Sequence, residues 1–323
     1  MDAVYALADH PVYGSLRKVL GRFCALAGGE MLDNSHRSGE NTHIVLGDNR
    51  LFFKRTEIPF SRKNLYVLNS PIVSLECWEA LLRGCPAVLC EEYYQKGGAK
   101  DRGVGIALRP FRGYPFISQT KRTHKFLSKN GFDSLLLPPA IEKTRGSKKR
   151  GHFLFVGKMI ESKNPGLVLE LASRMKDEEF IMIGEGTLEG EVRAKAKSLG
   201  NVEVMSKVEK REELFSEYYP KAKALIHPTF KDPIGFVLVE ALSCGAPVIA
   251  SENVGASDYL PSEWKVRGYK IDEWVERLKG IGPESSKLAE EVFEKEMLDI
   301  ESPYFERLGE KLYGIVKKKG WAD

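Results

Sequence analysis

No stretch of this chain stays apolar for the roughly eighteen residues that a membrane-crossing helix needs, so no helical membrane span is expected. No basic segment precedes Ala3-Val4-Tyr5-Ala6-Leu7 and no cleavage signal follows it, which argues against a secretory leader. The five cysteines, Cys24, Cys77, Cys85, Cys90 and Cys244, form no Cys-x-x-Cys pair and lie scattered in apolar segments. That pattern argues against a disulfide framework and against a zinc site, and it points to reduced thiols in a cytoplasmic setting. Glutamine occurs only at Gln95 and Gln119 against abundant Lys and Glu, a bias found in heat-adapted proteins. There is no internal repeat and no low-complexity tract.

What is present amounts to two domains. A chain of 323 residues with 42% hydrophobic content can bury two cores. The net charge of +4 is unevenly spread: residues 1–150 carry 24 basic and 14 acidic side chains, the remainder 25 and 31. A single globular domain has no reason to sort its charge by half. The polar cluster Lys143-Thr144-Arg145-Gly146-Ser147-Lys148-Lys149-Arg150-Gly151 follows Leu135-Leu136-Leu137-Pro138-Pro139 and reads as a solvated linker. Domains are therefore expected over 1–145 and 151–302. A final amphipathic helix is expected within 303–323, with Phe305, Leu308, Leu312 and Ile315 on its apolar face.

Apolar runs at Phe153–Val156, Phe180–Ile183, Val202–Met205, Ala224–Ile226 and Val248–Ala250 alternate with helical patterns. The first half repeats the scheme less cleanly, with strands expected near Val4–Ala8, His43–Leu46, Tyr66–Leu68, Ala87–Cys90 and Phe116–Ser118. Such alternation predicts an α/β fold of two Rossmann-like, doubly wound domains, with a ligand in the cleft facing the carboxyl ends of the strands.

The densest signal lies between Leu225 and Leu260. Leu225-Ile226-His227-Pro228 is followed by Asp232-Pro233-Ile234-Gly235-Phe236-Val237-Leu238-Val239-Glu240 and then by Ala241-Leu242-Ser243-Cys244-Gly245-Ala246-Pro247-Val248. It reads as strand, loop, short buried helix, tight turn and strand, with Gly245 and Pro247 ending the helix. Glu240 is a carboxylate in an otherwise apolar helix, costly unless hydrogen-bonded. The free amides at Gly235, Phe236 and Val237 open the same helix and form an anion cradle. Phosphates at the helix tip with ribose hydroxyls on Glu240 satisfy both features; a Glu paired with a core Lys or Arg satisfies only the carboxylate.

This segment resembles the donor-binding region of the retaining glycosyltransferases of family 4, which have the GT-B fold of two Rossmann-like domains. In that family two acidic residues stand eight apart; here they are Asp232, where Glu is usual, and Glu240. The resemblance implies that Asp232 meets the donor hexose and Glu240 the ribose. Gly157-Lys158 with Lys163 matches the family's Gly-Arg…Lys element, implying that both lysines neutralise the departing diphosphate, with Lys158 lacking the planar fork of Arg. Gly184-Glu185-Gly186 matches a loop close to the nucleotide, and Val208, beside Lys207, the stretch that presents backbone to the base. Asn253-Val254-Gly255-Ala256 matches a loop beside the phosphates. The final helix, by the same resemblance, returns to the first domain.

The first half departs from the family. The strand Pro86–Cys90 ends in Glu91-Glu92 where relatives carry a His, so Glu92 is the candidate on that side. His10, in the first strand–helix turn, is a second candidate for the missing His, and Asn69-Ser70-Pro71 a candidate acceptor lining. No Asp-x-Asp triplet occurs, which argues against a metal-held diphosphate, and no nucleophile–base pair stands out. The resemblance thus implies a metal-independent retaining hexosyltransferase without a resident cofactor, whose substrate is a nucleotide sugar such as a UDP- or GDP-hexose. The basic runs Arg17-Lys18, Arg22, Arg109–Arg112 and Lys121–Lys125 fit an anionic or lipid-linked glycan acceptor and peripheral contact with an anionic membrane at its inner face. Two other readings stay open: an inactive GT-B scaffold, and a nucleic-acid partner or substrate for the basic half, for which no recognised motif is present.

Overall fold

A computed structural model describes residues 3–6, 14–27, 30–33, 41–46, 49–54, 64–69, 75–90, 99–144, 151–206, 208, 210–296 and 298–321. The chain forms two compact units, one of Met1–Leu137 with Pro303–Asp323 and the other of Pro138–Ser302.

The first unit contains β1 (Ala3–Ala6), α1 (Gly14–Ala27), β2 (Glu30–Asp33), β3 (Asn41–Leu46), β4 (Asn49–Lys54), β5 (Asn64–Asn69), α2 (Leu75–Arg83), β6 (Ala87–Cys90), α3 (Ala99–Ala107), β7 (Phe116–Ser118), α4 (Lys121–Lys129) and β8 (Ser134–Leu136). Six of these strands form one parallel sheet in the order β2-β1-β5-β6-β7-β8. Helices that follow strands cover such a sheet, which is why β6 is apolar on both faces and buried from Ala87 to Leu89. The strand expected at His43–Leu46 exists as β3, but it lies outside this sheet and pairs antiparallel with β4. Leu46 pairs with Asn49, and a two-residue connection is far too short for a parallel crossover. The short, mixed-polarity strands β2 and β8 carry no strong sequence signal and were not expected.

The chain's last helix, α10 (Pro303–Lys318), completes this unit by packing on α1. Phe305, Leu308, Leu312 and Val316 are buried, as are Val19, Leu20 and Phe23 of α1. Val316, rather than the expected Ile315, takes the last core position. The Phe23 and Tyr313 rings meet edge-on at 6.1 Å, and Arg22 donates to Glu310 at 2.7 Å. Part of the basic side of α1 is therefore engaged by the protein itself.

The second unit contains β9 (His152–Val156), α5 (Pro165–Arg174), β10 (Glu179–Ile183), α6 (Glu189–Leu199), β11 (Val202–Met205), β12 (Ala222–His227), α7 (Phe236–Ser243), β13 (Val248–Ser251), β14 (Lys265–Val266), α8 (Ile271–Lys279) and α9 (Glu284–Lys295). Its sheet is wholly parallel in the order β11-β10-β9-β12-β13-β14. Counted within the unit, that is strand order 3-2-1-4-5-6, the dinucleotide-fold arrangement. Pro138–Thr144 belongs here: Ile141 N donates to Leu298 O at 3.0 Å and Thr144 N to Ser243 O at 2.9 Å. Among the described residues no disulfide forms; Cys90 is half-buried and the other four cysteines are buried. Among the described residues no helix is long and apolar enough to cross a membrane.

Candidate functional site

The second unit's chain direction reverses between β9 and β12. From β9 the chain winds outward through β10 and β11, then returns to place β12 on the other side of β9. The loops leaving the carboxyl ends of these two strands therefore diverge to opposite faces, and the crevice between them is where open α/β sheets bind ligands. Here the two loops are tied together: Thr229 Oγ1 and Phe230 N both donate to Ser162 O, at 2.7 and 2.8 Å. One residue further along, Lys163 Nζ reaches Asp232 Oδ2 at 2.5 Å, so two residues 69 apart in sequence form an ion pair across the switch point.

Asp232 has more partners. His227, at the end of β12 and fully enclosed, places Nε2 3.3 Å from the same Oδ2, and Ile234 N donates to Oδ1 at 3.3 Å. Burial alone would raise the Asp232 carboxyl, but the His227 hydrogen bond and the Lys163 charge outweigh it and hold it well below the ordinary carboxylate range. Burial pushes His227 down despite its acidic neighbour. A neutral imidazole that donates from Nε2 reconciles the two shifts. Nδ1 of His227 is then a buried acceptor without a partner among the described residues.

Gly235 opens α7 with φ of 81°, and a Cβ there would stand 2.3 Å from Val254 Cγ1, so the turn admits only glycine. Among the described residues no side chain caps the helix. The amides of Phe236 and Val237 thus have no intrahelical acceptor and present the positive end of the helix dipole. Val254 and Ala256 lie alongside: Gly255 N donates to Asp232 O at 3.0 Å and Ala256 N to Ile234 O at 2.6 Å. Residues Leu238 to Ser243 are buried and Gly245 takes the left-handed stop, as the sequence predicts.

Glu240 lies one turn into this helix at 5% exposure. Its Oε1 is hydrogen-bonded by Arg211, and Tyr219 Oη donates to Oε2 at 2.7 Å. Ligand hydroxyls are therefore not required to satisfy this carboxylate: of the two partners weighed from the sequence, a cation is present, and an Arg and a Tyr from the segment before β12 hydrogen-bond it. Burial, reinforced by the charge of Glu240, raises the Tyr219 phenol well above its ordinary value and keeps it a donor.

The loops after β9 and β10 lie backbone against backbone. Gly157 N donates to Ile183 O at 3.0 Å, and Met159 N to Glu185 O at 2.8 Å. A Cβ on Gly184 would fall 1.8 Å from Gly157 O, and one on Gly186 2.4 Å from Met159 O. These glycines are thus required by loop packing irrespective of any ligand. Lys158 is exposed with no carboxylate partner among the described residues. Val208 is half-buried against the core, and Lys207 lies outside the described residues. His10 and Glu92 also lie outside them, as do Ser70 and Pro71. Among the described residues no group of three or more His, Cys, Asp or Glu is placed to hold a metal ion.

Sequence reasoning missed three participants. His227 was quoted in its motif without a role, although a His at the carboxyl end of a parallel strand was a usable signal. Arg211 and Tyr219 gave none, because their relation to Glu240 is made only by folding.

The fold is that of two Rossmann-like domains, the GT-B architecture. Residues 150–279, most of the second unit, match the family described as Glycosyl transferases group 1. Sucrose-phosphate synthase from Thermosynechococcus elongatus superposes with a TM-score of 0.68 at 14% identity, covering 98% of this chain and 99% of that one. HepE of Anabaena, solved in complex with UDP, gives 0.65 at 11% identity, covering 98% and 100%. S. aureus TarM, in complex with fondaparinux, alpha-GlcNAc-glycerol and UDP, gives 0.60 at 12% identity over 79% of this chain, which spans 56% of TarM. At these identities the likeness is one of fold. No curated protein matches the chain significantly in sequence.

Proposed function

We propose that this protein is a retaining, metal-independent glycosyltransferase that moves a hexose from a nucleoside-diphosphate sugar to an acceptor hydroxyl. The observation that carries the reading is the Lys163–Asp232 pair at the switch point, beside the uncapped start of α7 and one turn from Glu240. A cation, a helix amino end and two carboxylates are the groups needed to hold, respectively, a diphosphate, its charge, a hexose and a ribose. The match of residues 150–279 to group 1 glycosyl transferases supports the same reading.

In this scheme the diphosphate lies on the Phe236 and Val237 amides with Lys163 and the exposed Lys158 on its oxygens. Negative charge grows on the leaving phosphate as the glycosidic bond lengthens, and cations already in place lower that barrier. Asp232 takes hexose hydroxyls and steadies the electron-poor sugar. The leaving phosphate accepts the acceptor's proton, so no separate protein base is required. The sugar nucleotide is substrate, and no resident cofactor enters. The acceptor is an anionic or lipid-linked glycan attracted by the basic first unit at a cytoplasmic membrane face.

The test is thermal unfolding with UDP, GDP and ADP, each with and without common hexoses, followed by transfer assays with EDTA. A bound ligand raises apparent stability by mass action. One diphosphate is expected to stabilise the protein and transfer to survive EDTA. No stabilisation by any of the three, or activity lost to EDTA and restored by a divalent ion, refutes the corresponding part.

A further inference from the structure

The surroundings of Glu240 carry one step more. Buried carboxylates are costly, and an apolar residue in an apolar helix serves stability better. Yet Glu240 sits between Leu238, Val239, Ala241 and Leu242, all buried, and two residues from outside the helix converge on it. Tyr219 is fully buried and Arg211 is half-exposed, so the network runs from the core toward solvent. The turn before Tyr219 is a π-helix, Leu214–Tyr218, closed by Tyr219 N donating to Leu214 O at 2.8 Å. Such widened turns are uncommon and are frequently found at functional sites. Here the turn ends on the residue whose phenol meets the carboxylate, and the Phe215 ring braces Tyr219 edge-on at 5.5 Å.

The two partners bind different oxygens. A carboxylate has roughly four lone-pair sites. Among the described residues Arg211 takes one on Oε1 and Tyr219 one on Oε2, which leaves an acceptor site on each oxygen. Two acceptor sites side by side suit two hydroxyls on neighbouring carbons.

We infer that Tyr219 and Arg211 are positioning residues that hold Glu240 as a two-pronged acceptor for the vicinal 2′- and 3′-hydroxyls of the donor ribose, and so set selection for ribose over 2′-deoxyribose. The inference rests on the donor reading above. Neither residue touches the reacting sugar. Each acts through Glu240: the phenol fixes the rotamer by holding Oε2, and the guanidinium holds Oε1.

The experiment is calorimetric titration of UDP and GDP and of their 2′-deoxy counterparts into the wild-type protein and into Tyr219→Phe, Arg211→Gln, Arg211→Lys and Glu240→Gln. Tyr219→Phe removes one oxygen from a filled site, and thermal unfolding checks that each variant is folded. The wild-type protein should prefer the ribo form by at least about tenfold, the worth of one hydrogen bond to a charged group. In Tyr219→Phe and Arg211→Gln that ratio should fall toward one, with Arg211→Lys retaining part of it. If both variants keep the wild-type ratio while Glu240→Gln abolishes it, the positioning role is overturned and the donor reading stands. If Glu240→Gln also keeps the ratio, or the wild-type protein shows no preference, the ribose role of Glu240 falls and the inference with it.

Discussion

Replacing Asp232 by Asn should have opposite effects on binding and on transfer. Lys163 donates to Asp232 at 2.5 Å, so a diphosphate that uses Lys163 competes with that carboxylate. Both side chains are about one-fifth exposed, at 21% and 16%. The pair therefore lies between an exposed ion pair, worth up to about 1 kcal/mol, and a charge-assisted hydrogen bond, worth about 1.5–3 kcal/mol. A cost of about 1–2 kcal/mol for displacing Asp232 is a factor of about 5 to 30 in the dissociation constant. Asn keeps an oxygen for the Ile234 amide but loses the charge, so Lys163 is released and repulsion from the incoming phosphate disappears. Asp232→Asn should thus bind the free nucleoside diphosphate about 5- to 30-fold tighter while transferring hexose more slowly. Asp232→Glu, which keeps the charge, should stay nearer to wild type in both. Titration calorimetry gives the first quantity and a donor-consumption assay the second. Unchanged or weaker diphosphate binding in Asp232→Asn refutes the competition argument, and full activity removes Asp232 from the sugar site.

The same carboxyl predicts a pH dependence. Its folded value is held below its ordinary 3.8, so its stabilising contribution is complete above that value and is lost as pH falls through the acid range beneath it. Thermal unfolding followed into acid should show a shallower loss for Asp232→Asn than for wild type below pH 3.8, and parallel curves would contradict the assignment. Gly184→Ala should cost at least about 2 kcal/mol, because its Cβ would meet Gly157 O at 1.8 Å. Gly190→Ala, in α6 with nothing within 4 Å, should instead gain about 0.5–1 kcal/mol; equal effects in denaturant titrations would show that the loop packing is misjudged. Sedimentation should reveal salt-sensitive binding to anionic vesicles, weakened when the exposed Lys125 and Lys129 of α4 become Gln, at about 1 kcal/mol per cation. Because Arg22 is paired with Glu310, Arg22→Gln should matter less. Indifference to vesicle charge would point to a neutral, soluble acceptor.

The sequence by itself determined the elements whose signal is local. Phe153–Val156 and Val248–Ala250 are legible because a strand covered on both faces must be apolar throughout. The buried α7 is legible because an apolar run closed by Gly245 and followed by Pro247 has few other solutions. The anion-ready turn at Gly235 follows from the same stretch. Tertiary structure decided what depends on partners far along the chain. It put β3 into a hairpin, since a strand's pattern does not name its neighbour. It placed Lys163 against Asp232, 69 residues away, because strand order 3-2-1-4-5-6 brings the ends of β9 and β12 together. It gave Glu240 its two partners, 29 and 21 residues earlier, through the turn that leads into β12. Composition and periodicity report which side chains must leave water; which charge meets which is fixed only when the sheet has chosen its order.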